Sequence, residues 1–128
     1  MDNNDTPVTT ANENKALLIA AHLAGVLNFF VFGIGLIVPL GIWLALRKKD
    51  PFVDSHGKAI LNFQLTLALV LLALIVLQAF DNGGIVFTVV GIYGLFVFGI
   101  QLIGPILGAL AAYGNRPFKY FLSIPFLR

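Results

Sequence analysis

The chain contains no cysteine, which excludes disulfides and thiolate metal centres. It is almost as short of charge. Only 11% of its 128 residues are Asp, Glu, Lys or Arg, where a soluble domain carries about 25%. A net charge of +2 is too small and too scattered to recruit nucleic acid. A cleavable secretory signal is not expected either. The first residues are acidic and polar, and the apolar run behind them is much longer than a signal h-region.

What the chain has instead is hydrophobic residues, at 59% of the total. Its charges fall in islands. Asp2, Asp5, Glu13 and Lys15 precede the first apolar stretch; Arg47, Lys48, Lys49, Asp50, Asp54 and Lys58 share one connection; Asp81 stands alone; Arg116, Lys119 and Arg128 close the sequence. The runs between them, Ala16–Leu46, Ala59–Phe80 and Asn82–Asn115, hold no formal charge. Each reaches the roughly 20 residues that a membrane span needs. The expected architecture is a single all-α integral membrane domain.

Residues 1–15 read as a disordered polar tail and 16–115 as the transmembrane helical domain. One continuous helix over Ala16–Leu46 would be about 46 Å long and would need an unusually steep tilt. Gly33, Gly35 and Pro39 also oppose it. Two short helices forming a hairpin are expected, over about 16–31 and 36–47, followed by helices over about 57–80 and 85–113. Asp54 or Ser55 is the expected cap of the third helix. Asp81-Asn82-Gly83-Gly84 supplies a turn, and Pro105 a kink or tilt in the fourth helix. Residues 116–128 mix aromatic and basic residues with two prolines and read as an interfacial C-terminal segment.

Lys and Arg give the orientation. The connection over 47–58 holds four of them, the C-terminal segment three and the 81–84 turn none. The positive-inside bias therefore places the two basic islands, and with a hairpin both termini, on the cytoplasmic side of a bacterial inner membrane. Arg47, Lys48 and Lys49 serve as membrane anchors, fewer than the four to eight basic residues that mark a specific lipid site.

No catalytic, cofactor or metal site is expected. Asp54, His56 and Lys58 are the densest titratable group, with His22 at a neighbouring membrane entrance, but two histidines and one aspartate have no metal-ligand spacing. Ser55 lacks the context of a nucleophile. Asn62 and Thr66 share one face of the third helix while Gln64 and Gln78 share another, so its first half should be surrounded by protein. Asp54, His56, Lys58, Asn62 and Gln64 are thus the candidate interaction residues. Gly94, Gln101, Gly104, Gly108 and Ala112 fall on one side of the fourth helix for helix packing, within the chain or between copies, with Gly104, Gly108 and Ala112 as a small-residue stripe and Gln101 directed at Asn62 or Gln64.

Several stretches together carry a resemblance: His22-Leu23, Pro39-Leu40-Gly41-Ile42-Trp43-Leu44, Asp50 through Lys58, and Leu61-Asn62-Phe63-Gln64. They resemble a family of small bacterial membrane proteins of unknown function, grouped with the Tic twenty-like component of the chloroplast import machinery. Its most distinctive part is PFVDSHGKAILNFQ. Ser55, Val38 and Phe121 depart from the pattern, standing where an aromatic, a glycine and a proline are usual. The resemblance implies four membrane helices and, through the plant relative, a part in moving proteins across an envelope membrane. The expected function is a non-enzymatic membrane module that packs against other membrane proteins or its own copies, in protein insertion or envelope maintenance. A small oligomeric channel or transporter is the alternative.

Overall fold

The computed structural model describes residues 7–28, 30–31, 33–80 and 84–128, with side chains from residue 12 onward. Four helices follow one another: α1 (Pro7–Leu27), α2 (Ile34–Leu46), α3 (Pro51–Gln78) and α4 (Ile85–Tyr113). No strand occurs among the described residues. Residues 7–15 are helical, so the disordered tail expected over 1–15 is not found in its described part. Pro7 opens α1, the position where its missing N–H costs least. Asn14 then donates from Nδ2 to Asp50 Oδ2 at 3.0 Å, tying the first half of α1 to the connection between α2 and α3.

The break between α1 and α2 is built by Asn28. Its Oδ1 accepts from the backbone N–H of Gly33 at 2.8 Å and of Gly35 at 3.2 Å, satisfying donors that a helix start leaves open. Gly33 has φ 90, a left-handed conformation that suits glycine. α2 is only 13 residues, about 20 Å at 1.5 Å per residue, against a hydrocarbon core of about 30 Å. Two helices, α3 and α4, are long and apolar enough to cross a membrane, with mean hydropathies of 2.6 and 2.2.

α3 begins earlier than expected. Asp50, rather than Asp54 or Ser55, is its cap: Asp50 Oδ1 accepts from Phe52 N at 2.9 Å and Val53 N at 3.4 Å, and Pro51 takes the first helical position. The reason is local. A carboxylate immediately before Pro51 satisfies the open N–H groups, so the helix need not wait for the next polar residue.

The packed core lies at the end of the bundle that carries the basic islands. Leu18, Val53 and Ala112 form one cluster, and Ala21, Ile60, Phe63 and Tyr120 another. Gly57 admits the indole of Trp43, which occupies the space a Cβ would need. Beyond this core α3 and α4 continue with their apolar side chains uncovered. Leu72 and Ile75 are each 59% exposed, Phe87 is 71% and Leu95 77%. A soluble monomer does not leave a surface of this kind in water; hydrocarbon solvates it without cost.

Candidate functional site

The densest titratable group in the sequence is divided by helical geometry. Asp54 and Lys58, four residues apart, share a face of α3 and form an ion pair at 2.6 Å, each about a quarter exposed. Two residues on from Asp54, the helix turns by about 200° and carries His56 to the opposite face, where it is fully buried. Asp54 also accepts from Trp43 Nε1 at 2.8 Å, and the Arg47 guanidinium lies 4.5 Å from the Trp43 ring. Lys48 and Lys49 are exposed.

His56 meets His22 of α1, also fully buried. His22 Nε2 lies 2.9 Å from His56 Nδ1, His22 Nδ1 lies 2.7 Å from Tyr120 Oη, and His56 Nε2 lies 3.0 Å from the carbonyl oxygen of Arg116. Proton positions follow from donor and acceptor chemistry. A carbonyl only accepts, so His56 Nε2 carries a proton. In the neutral ring His56 Nδ1 then accepts from His22 Nε2–H, which leaves His22 Nδ1 to accept from the Tyr120 hydroxyl. This assignment uses all four ring nitrogens with both rings uncharged. Burial pushes the Tyr120 phenol up from its ordinary range, which keeps it a donor. Phe63 stacks on Tyr120 at 4.2 Å, and Phe118 meets the edges of both His22 and Tyr120.

The chain of polar contacts fastens residues 116–128 across the helices, and three more bonds complete the fastening. Asn62 donates from Nδ2 to Leu127 O at 3.0 Å and accepts from Leu127 N at 2.8 Å, engaging the backbone as a neighbouring strand would. Thr66 Oγ1 accepts from Ile124 N at 2.9 Å while donating to Asn62 O at 2.7 Å. The terminal segment is therefore a strap held at Arg116, Tyr120, Ile124 and Leu127.

On the remaining face of α3, Gln64 Oε1 accepts from Gln101 Nε2 at 3.2 Å, and the same Gln101 nitrogen donates to Gly25 O at 3.0 Å. This leaves Gln64 Nε2 and Gln101 Oε1 buried without a hydrogen-bond partner among the described residues. Gln78, expected to share a face with Gln64, is exposed in the uncovered half of α3. Of the small residues on α4, Gly108 and Gly104 face rings rather than helix backbone: the His22 imidazole fills the space beside Gly108 and Tyr120 that beside Gly104. Ala112 is fully buried with Leu18 and Val53, whereas Gly94 is exposed with nothing against it.

The arrangement offers little reactive chemistry. No cluster of three or more His, Cys, Asp or Glu occurs among the described residues. Both histidines spend their nitrogens on each other, on Tyr120 and on Arg116. The His22–His56–Tyr120 chain escaped the sequence because its members lie 34 and 98 positions apart, with no periodicity linking them.

No curated protein and no solved structure matches the chain. A family match does exist, and it overturns the resemblance to the Tic twenty-like proteins. It runs over residues 13–127 and so takes in every stretch on which that resemblance rested, including PFVDSHGKAILNFQ. On the strength of that match the chain belongs to the MamF/MmsF family, the magnetosome magnetite crystal formation proteins.

Proposed function

We propose that the chain is a non-enzymatic protein of the membrane surrounding a forming magnetite crystal, and that it contributes to crystal formation by packing with membrane partners. The observation that carries this reading is the direction in which its polar side chains face. His22, His56, Asn62 and Thr66 are buried and bonded within the chain, while the outward surfaces of α3 and α4 are apolar. A protein that turns its reactive groups inward acts through its shape and its membrane-facing surface. Only α3 and α4 cross the bilayer fully; α1 and α2 enter as a hairpin, with Asn14 of α1 bonded to Asp50 in the connection that follows α2. Both termini then share the side that carries the basic islands, by the positive-inside bias the cytoplasmic one.

The test is made in magnetite-forming cells. Loss of the chain should change crystal size or habit in electron micrographs, and in-membrane crosslinking should recover recurrent protein partners. Crystals indistinguishable from the parent would defeat the role in crystal formation. Ion conductance of the purified chain in vesicles would replace the packing role with a channel.

A further inference from the structure

The strap does more than cover the polar core. Between it and the first half of α3 lies a cleft of about 480 Å³ whose lining includes three basic residues from two elements: Lys58 of α3, and Lys119 and Arg128 of the strap. Ser55 and Ser123 add hydroxyls, Phe118 supplies an apolar wall, and no acidic side chain lines it. Each cation is set beside an anchor. Lys119 precedes Tyr120, which is stacked on Phe63 and bonded to His22. Arg128 follows Leu127, whose N–H and C=O are both engaged by Asn62. Lys58 is steadied by Asp54, and an ammonium with three protons retains donors beyond that one contact. The cleft sits where α3 begins, which on the membrane reading above is the depth of the lipid headgroups.

We propose that this cleft binds the phosphate group of an anionic phospholipid, with Lys58, Lys119 and Arg128 as its ligands and the Phe118 wall against the glycerol and first acyl carbons. The backbone that carries Lys119 and Arg128 is fixed by Tyr120 and Leu127, so that part of the ordering cost is met before binding, which favours a defined site over diffuse attraction. The exposed Lys48 and Lys49 lie outside the cleft and contribute only the general pull of a basic surface.

The test uses the purified full chain in neutral detergent, titrated with phosphatidylglycerol, phosphatidylcholine or inorganic phosphate and read by native mass spectrometry. Phosphatidylglycerol should be retained at least about tenfold more tightly than phosphatidylcholine, and the preference should disappear in Lys119→Gln/Arg128→Gln. Lys48→Gln/Lys49→Gln should keep it. Asn62→Leu, which removes no charge but releases Leu127 and with it the placement of Arg128, should weaken retention several-fold, a loss that charge alone would not produce. Melting in detergent verifies that each variant is folded; both charge variants alter exposed side chains. Equal retention of the two lipids overturns the proposal, as does an equal loss in the Lys48/Lys49 variant. Inorganic phosphate that binds where phosphatidylglycerol does not compete overturns the lipid source. Alkaline extraction of membranes scores bilayer insertion separately, so a chain that stays inserted yet ignores headgroup charge defeats the cleft without touching the membrane reading.

Discussion

The two ends of α3 and α4 are built on opposite principles. At the basic end, α1, α2 and the strap surround the first half of α3 and the last third of α4, and polar side chains point inward to meet one another. At the other end the same two helices run on with apolar side chains pointing outward and few contacts between them, Tyr93 Oη to Leu67 O at 3.3 Å being one. The first region depends on each group finding a particular partner, the second only on remaining apolar. Substitutions should therefore be costly in one and tolerated in the other, even when they are chemically identical and lie on the same helix.

The largest contrast is expected within α4. Gly108→Leu drives a side chain into the space of the His22 ring and should destabilise by about 3 kcal/mol, with loss of the monodisperse peak on sizing. Gly94→Leu, with open space around it, should stay within about 0.5 kcal/mol of the parent in detergent melting. Equal behaviour of the two would erase the distinction between the ends. The next effect belongs to the histidine chain. His22→Phe keeps the bulk of a ring but strands the Tyr120 hydroxyl and His56 Nδ1, and a melting shift equivalent to about 2–4 kcal/mol is expected. A variant as stable as the parent would show that packing, not hydrogen bonding, holds the strap. The smallest effect sharpens the comparison, because Gln64 and Gln101 are polar groups incompletely satisfied in the packed half. Gln64→Leu alone should cost about 1 kcal/mol by orphaning the Gln101 amide further, while Gln64→Leu/Gln101→Leu should recover most of that loss. Strictly additive losses would mean that the two amides do not act as a pair.

Much of this was legible in the order of residues. Charge-free runs bounded by basic islands give helices, and Gly33 marks the interruption between α1 and α2, whereas Gly35 and Pro39 are accommodated inside α2. Buried amides on two faces of α3 give a half that must be enclosed, as Asn62, Gln64 and Thr66 are. These properties are local: a residue's hydropathy, or its angle around its own helix, does not depend on what lies elsewhere in the chain. The start of α3 was misplaced because Asp50, Asp54 and Ser55 can each cap a helix, and local chemistry alone does not rank them.

The tertiary structure alone decided what the polar residues are for. Asp54, His56 and Lys58 adjoin in sequence yet serve an outer ion pair and an inner hydrogen bond. His22 and Tyr120, 98 positions apart, become bonded partners. Gly108 proves to seat a ring of the neighbouring α1, and Gly104 a ring of the strap. Residues 116–128, an interfacial segment by composition, become a strap only because Asn62 and Thr66 offer hydrogen bonds to backbone that no helix has claimed. Hydrogen bonds require a donor and an acceptor within about 3 Å, and long-range pairing of that kind is fixed by how the helices pack, which no single segment specifies.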